Sequence, residues 1–198
     1  MFNEDTGSKQ NYFNKQVVIS KLLDSLKISS SAYSLRMEAF KQEKTLNVYL
    51  KGNDTDWRLA RTYPFCSFSG DLGPKIREGD GQIPEGIYQV EVFNPKSKFY
   101  LSLGLNYPTD RDLLLADPQD PGSDIYIHGG CKTVGCIPIT DEKMAELYLL
   151  AKGASSDIEV VILPFKQTIP NSAKYYTSHP QWKFFWEKLF QDVRSLRK

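Results

Sequence analysis

The sequence predicts an α+β fold, a mostly antiparallel β core with helices packed at both ends, on three observations. Tyr33-Ser-Leu-Arg-Met-Glu-Ala39 and Leu46-Asn-Val-Tyr-Leu50 alternate apolar with polar residues on either side of Lys41-Gln-Glu-Lys44, the pattern of a β-hairpin with one buried face. Apolar residues recur at helical spacing near both ends, as Val17, Val18, Leu22, Leu23 and Leu26, and again as Trp182, Phe185, Trp186, Leu189, Phe190 and Val193. Between them Met144, Leu147, Tyr148 and Ala151 fall at i, i+3, i+4 and i+7, one face of a third helix.

Taken in order, Asn11 to Lys27 reads as an amphipathic helix docking on the core. The hairpin opens the sheet. Asn53-Asp54 turns the chain into Trp57-Arg-Leu-Ala-Arg-Thr-Tyr63, a strand that Pro64 ends or bends. Ser69 to Gly86 holds five glycines and two prolines, a set of turns whose spacing matches neither a dinucleotide fingerprint nor a P-loop. These turns feed the strand Ile87-Tyr-Gln-Val-Glu-Val-Phe93, and Phe99-Tyr-Leu-Ser-Leu103 is the next candidate. Tyr107 to Gly122 reads as a long polar loop rich in Pro and Asp, of the kind that walls or covers a site. Thr140 suits an N-cap, Asp141-Glu142 put negative charge in the first helical turn, and Gly153 is the stop. Asp157-Ile-Glu-Val-Val-Ile-Leu163 closes the sheet, and Pro180 opens the last helix, whose broad apolar face fits core docking.

Composition narrows the function. A chain of 198 residues buries about 70% of its unfolded surface without needing disulfides. With 25 basic and 24 acidic side chains the net charge is +1, which argues against nucleic acid or an anionic membrane as partner. No apolar run approaches the roughly 20 residues of a transmembrane helix, and Met1 to Ser8 is polar rather than signal-like. Three cysteines leave at least one thiol free. That count fits a Cys66–Cys131 bridge beside a reactive Cys136, and equally three free thiols.

The chemistry concentrates in Ile125-Tyr-Ile-His-Gly-Gly-Cys-Lys-Thr-Val-Gly-Cys-Ile-Pro-Ile-Thr140. Gly135 directly precedes Cys136, so the backbone before the sulfur is unencumbered and its N–H groups, with Gly129 nearby, are candidate oxyanion donors. His128 ends an apolar strand eight residues upstream. A free thiol with a pKa of about 8.5 is only a few per cent thiolate at neutral pH, so an adjacent imidazole is the partner it needs. A backbone carbonyl of Gly129-Gly130 is the expected orienter of that ring. Tyr107 and Thr133 are candidates to line the pocket, and Arg61, Lys75 and Arg111 to anchor a substrate carboxylate. His179, just before Pro180, reads as capping or exposed.

These residues resemble a known family. His128-Gly129 followed by Thr133-Val134-Gly135-Cys136 is similar to the His-Gly and Ser/Thr-x-Gly-Cys signature of L,D-transpeptidase (YkuD-like) catalytic domains. The short form, His-Gly-Gly-Cys-x-x-x-Gly-Cys, most resembles the YafK-like murein L,D-transpeptidase branch, as do Trp57 to Pro64, Asp71 to Lys75, Gly79 to Tyr88 and Ser102 to Pro108. The resemblance spans roughly residues 45 to 165. It implies division into an N-terminal helical appendage (1–30), a catalytic domain (31–165) and a C-terminal helical appendage (166–198). It implies a β core of that family's type and a Cys136 nucleophile with His128 as base and acid. The implied reaction is acyl transfer on peptidoglycan stem peptides, with hydrolytic release of a wall-attached lipoprotein as one variant. It further implies a periplasmic or other envelope location, with a leader absent from this sequence, and no cofactor. Two departures stand out: His and Cys lie closer together than in most members, and Pro138 replaces the Arg usual two residues after the nucleophile.

Two rival readings belong to other classes. His128, Cys131 and Cys136, with Cys66 as a fourth ligand, form a candidate zinc set, though not with the spacing of common zinc knots; the preferred reading holds no metal. The other rival is a catalytically silent peptidoglycan-binding module.

Overall fold

The computed structural model describes residues 6–197, with side chains from residue 14 onward. Helix α1 spans Thr6–Ser25, and its core-facing residues are Ile19, Leu22, Leu23 and Leu26. That is an i, i+3, i+4, i+7 stripe. Val17 and Val18, expected on this face, lie beside the stripe and are each 39% exposed.

Strands β1 (Tyr33–Phe40) and β2 (Thr45–Gly52) form the expected hairpin, in continuous register from Tyr33 opposite Gly52 to Phe40 opposite Thr45. Strand β3 (Arg58–Pro64) pairs antiparallel with β2. Residues 65–85 then run without helix or strand, as their glycines and prolines predict. Strands β4 (Gly86–Ser97) and β5 (Tyr100–Leu105) form a second hairpin. The segment read as loop from Tyr107 contains a one-turn helix, α2 (Asp110–Leu113). Asp112 at its third position accepts the Thr109 N–H at 2.8 Å, the return half of a capping box that starts the turn.

The short strands β6 (Tyr126–His128) and β7 (Ile137–Pro138) follow, then helix α3 (Asp141–Gly153) with Thr140 at its N-cap position. Strand β8 (Glu159–Leu163) leads into α4 (Ile169–Ser178), a 3-10 turn at Pro180–Trp182, and α5 (Lys183–Leu196). Helix α4 was not foreseen; its start is set by Thr168, whose side chain accepts the Asn171 N–H, and by Pro170 in the first turn.

The eight strands form one sheet in the order β3-β2-β1-β8-β4-β5-β6-β7. Five of the seven pairings are antiparallel, β1 with β8 and β6 with β7 being the parallel ones, so the core is mixed but mostly antiparallel. Strand β8 was expected to close the sheet and instead occupies its middle. Its composition explains the position, since Glu159-Val-Val-Ile-Leu163 is a short continuous apolar run suited to burial on both faces. Val160 and Ile162 enter the core shared with α1 and α3. Val161 and Leu163 enter a second core with Phe165, just after β8, and with Tyr175, Trp186, Leu189 and Phe190 from the C-terminal helices.

A buried polar clamp joins the second layer to the loop before β4. Lys41, read as part of the hairpin turn, is fully buried; its Nζ donates to the carbonyls of Gly73 at 2.7 Å and Ile83 at 2.8 Å and pairs with Glu85 at 3.1 Å. Glu85 also accepts the Gly73 N–H at 2.8 Å and the Trp186 indole N–H at 2.6 Å. Every proton donor of the clamp therefore meets an acceptor, which is what allows the charges to be buried.

Candidate active site

Parallel pairing of β6 with β7 sets Ile127 opposite Ile137 and His128 opposite Pro138. Both isoleucines are buried in the core, so the period-two alternation turns Tyr126, His128 and Cys136 toward the other face. Cys136 lies one residue before β7, level with Tyr126 and diagonal to His128. The eight residues between the two strands form a loop that carries the chain back so that β7 runs parallel to β6.

His128 is 2% exposed, and its Nδ1 lies 2.6 Å from the Gly129 carbonyl oxygen. A carbonyl only accepts, so Nδ1 carries the proton and Nε2 is left as the acceptor. The orienter is therefore one of the two carbonyls the sequence pointed to. The Phe99 ring covers the imidazole at 4.7 Å between centroids. Burial lowers the His128 pKa, only partly opposed by the Gly129 bond.

Cys136 carries the free thiol and is half-buried. Its Sγ accepts the Tyr126 N–H at 3.4 Å and lies 3.5 Å from the Asp124 carbonyl oxygen. Burial pushes the thiol pKa up; the Tyr126 N–H and the Lys75 charge work against that, while Asp124 and Glu78 add to it. Burial thus favours the uncharged form of both side chains.

The loop from Gly129 to Gly135 is held from several sides. Cys66 and Cys131 are disulfide-bonded, their Cα atoms 5.3 Å apart and their positions 65 residues apart, a closure worth about 4 kcal/mol in the chain-entropy picture. The Cys66 N–H reaches the Pro138 carbonyl at 3.0 Å, and the Gly135 N–H reaches the Ser69 hydroxyl at 2.7 Å. Thr133 Oγ1 accepts the Cys136 N–H at 3.0 Å and donates to the Cys136 carbonyl at 2.8 Å. Asp141 accepts the Gly130 N–H at 2.7 Å. Gly135 has φ +95° and an added Cβ would stand 2.9 Å from the Gln82 carbonyl oxygen. The glycine before Cys136 is therefore required by a positive φ and by a neighbouring backbone rather than by open space.

Several residues with expected roles are engaged by contacts within the fold. The N–H groups of Gly135 and Cys136, expected as oxyanion donors, are engaged by Ser69 and Thr133, and the Gly129 N–H is bound to Leu101 O at 3.0 Å. Thr133 orders the backbone of Cys136. Tyr107 is 6% exposed and donates to the Pro121 carbonyl at 2.9 Å, so it props the 107–122 segment from beneath. Arg61 is paired with Glu146 on α3, and Arg111 with Asp192 on α5. Lys75 is 5% exposed and bound to Asp80 at 2.8 Å. Asp80 in turn accepts N–H bonds from Ile76, Arg77 and Gln82. Burial alone would raise the Asp80 carboxyl, but Lys75 and these donors outweigh it and hold the pKa below the ordinary value.

The zinc reading fails on the same chemistry, because two of its four ligands share a disulfide. Among the described residues, no group of three or more His, Cys, Asp or Glu side chains is placed to hold a metal ion. Ser69, Asp141 and Phe99 are site residues that sequence reading missed. A Cys66–Cys131 bridge, once accepted, is the signal that brings Ser69 to the loop.

Residues 36–162 match the family model for the L,D-transpeptidase catalytic domain (YkuD). YafK of Escherichia coli strain K12, named as an L,D-transpeptidase, is 33% identical over 159 residues, covering 77% of this chain and 62% of the relative; its counterpart in Escherichia coli O157:H7 aligns equally. The chain thus spans under two thirds of the length of these relatives. The crystal structure of the helical cell shape determining protein Pgp2 from Campylobacter jejuni superposes with a TM-score of 0.56 at 20% identity, over 79% of this chain and 57% of that one. That likeness is one of fold.

Proposed function

From the premise that the chain belongs to the L,D-transpeptidase catalytic-domain family, we propose that it carries out cysteine-dependent acyl transfer on peptidoglycan stem peptides. The observation that carries the proposal is a free, half-buried thiol on the same sheet face as an imidazole whose tautomer leaves Nε2 as the acceptor. Cys136 Sγ attacks the carbonyl of the L-centre in an L,D amide while its proton passes to His128 Nε2. The imidazolium then protonates the departing amine, the C–N bond breaks, and a thioester to Cys136 remains. Rotation of the Thr133 side chain about Cα–Cβ carries Oγ1 away and frees the Cys136 N–H to meet the oxyanion, while Ser69 keeps Gly135 fixed. One such donor is commonly worth a hundredfold or more in rate.

The acceptor defines the product. A stem-peptide amine gives a crosslink, and water gives a carboxypeptidase or amidase, including release of a lipoprotein attached to the wall. The Cys66–Cys131 disulfide supports an oxidising envelope compartment such as the periplasm, and no helix of the described residues is long and apolar enough to cross a membrane. The test is incubation with defined muropeptides followed by mass spectrometry. The expected result is product from the parent protein and none from Cys136→Ala. Binding of peptidoglycan with no mass change in any substrate would instead leave a silent wall-binding module.

A further inference from the structure

The carbonyl that orients the imidazole lies between two successive glycines, whose own backbone does little to keep it facing the ring. Gly129 and Gly130 flank one peptide unit, whose C=O meets His128 Nδ1 at 2.6 Å and whose N–H is donated to Asp141 Oδ1 at 2.7 Å. In a trans peptide these two groups point in opposite directions, so the unit stands between the ring and the carboxylate. Gly130 has φ +72°, and with no Cβ on either side the plane is free to turn over by paired rotation at ψ of Gly129 and φ of Gly130. Turned over, it presents an N–H to Nδ1. The ring then accepts there and carries its proton on Nε2, which removes the base.

The backbone just before this unit is held by the sheet. The His128 carbonyl accepts the Ile139 N–H at 2.9 Å, and the Gly129 N–H is bound to Leu101 O at 3.0 Å. The unit itself is held by Asp141, the first residue of α3, a helix anchored in the core by Met144, Leu147 and Tyr148. The helix dipole favours a carboxylate in that first turn, and 2.7 Å is the length of a charge-assisted bond. The fit is close on both sides: a Cβ on Gly129 would stand 2.7 Å from Asp141 Oδ1 and 2.7 Å from the Phe99 carbonyl oxygen. Glu142, the other acid of the first turn, is directed elsewhere and pairs with Lys15 of α1 at 3.0 Å.

We propose that Asp141 is a positioning residue of the site, which fixes the Gly129–Gly130 peptide with its carbonyl toward the ring and so keeps His128 in the tautomer that leaves Nε2 free to accept a proton. For its consequence in rate the inference rests on the acyl-transfer reading; for its consequence in the ring it does not. A carboxylate bonded directly to an imidazole sets the tautomer in the same way; here the effect passes through one peptide. The negative charge at the N–H also polarises the unit, which makes its carbonyl the stronger acceptor.

The test reads the ring and the rate separately. The chain has two histidines, His128 and His179, so NMR of the isotope-labelled imidazole nitrogens reports the tautomer of each ring at about pH 7.5, where an imidazole of lowered pKa is neutral. The proteins compared are the parent, Asp141→Ala, Asp141→Asn and Glu142→Ala, both acids being exposed and therefore replaceable without loss of core. The parent and Glu142→Ala are expected to hold the His128 proton on Nδ1 and to turn over muropeptide at the same kcat. Asp141→Ala moves the proton to Nε2 in most molecules and lowers kcat about tenfold with KM unchanged. Asp141→Asn, whose amide oxygen can still accept the Gly130 N–H, restores the tautomer and most of the rate. A proton that stays on Nδ1 in Asp141→Ala, or a kcat loss in Glu142→Ala as large as in Asp141→Ala, overturns the positioning role and leaves acyl transfer intact wherever the parent turns over. A tautomer change in Asp141→Ala with no turnover by the parent protein overturns acyl transfer and keeps Asp141 as the orienter of the ring.

Discussion

The segment between β3 and β4 is fastened at its two ends by different physics. At its start, Cys66 and Ser69 pin the nucleophile loop through a disulfide and through neutral hydrogen bonds to Pro138 and Gly135. At its far end, Gly73, Ile83 and Glu85 are gripped by the ammonium of Lys41, and Glu85 also holds Trp186 of α5. The Lys41 and Glu85 side chains are 0% exposed, whereas Cys136 at the other end is half-buried. A neutral hydroxyl can release its partner without stranding a charge; a buried ammonium cannot. The site end is therefore tied by one covalent bridge and by neutral hydrogen bonds that can yield one at a time, and the end that docks a helix by buried charges that cannot.

The largest effect is expected at the buried end. Glu85→Ala leaves the Lys41 ammonium without its carboxylate and the Trp186 N–H without its acceptor, a loss of about 3–5 kcal/mol. For a chain of this size that lowers the thermal midpoint by roughly 10 °C, with KM of the remaining folded enzyme unchanged. A calorimetric midpoint within a degree or two of the parent protein would mean that the clamp contributes little, and the contrast between the two ends would disappear.

A smaller effect is expected at the site end, and in a different observable. Ser69→Ala removes one acceptor from the Gly135 N–H, costing about 1 kcal/mol in stability. The loss in kcat is expected to be larger, about tenfold, because Gly135 sets the direction of Cys136 and misplacement of a reacting atom is expensive. KM stays constant and Ser69→Thr restores the rate. A Ser69→Ala enzyme with unchanged kcat would reduce Ser69 to a loop residue of no consequence for the nucleophile.

The two ends also differ in how far the sequence discloses them. Cys136, Gly135, His128 and the Gly129 carbonyl lie within nine consecutive residues, so their relation is carried by local spacing and a short loop between neighbouring strands. The clamp joins residues 41, 85 and 186, and nothing near Lys41 distinguishes it from the solvated lysine of an ordinary hairpin turn. Strand β8 was legible as a strand but not as the central one, because strand order depends on which partners a run finds and not on the run itself. Strand β7 is two residues long, too short to have a period. The ion pairs of the expected substrate cations were illegible for a related reason: Arg61, Lys75 and Arg111 meet Glu146, Asp80 and Asp192 only once the chain has folded.

The subtlest difference concerns protons. At the site end His128 is buried and its pKa is lowered, so the ring stays neutral and able to accept a proton at a pH where an ordinary imidazole, near 6.5, is already charged. If neutral His128 is the base, kcat/KM rises with pH on a single limb whose midpoint lies below about 6.5. The Cys136 thiol is shifted the other way, so in the absence of substrate its alkylation by iodoacetamide accelerates only above the usual thiol range near 8.5. A preformed thiolate–imidazolium pair reverses both signs, because each charge would stabilise the other. Rapid alkylation near pH 6, together with a rate limb at or above 6.5, would place an ion pair at the site as well as at the clamp, and the neutral character assigned to this end of the segment would have to be given up.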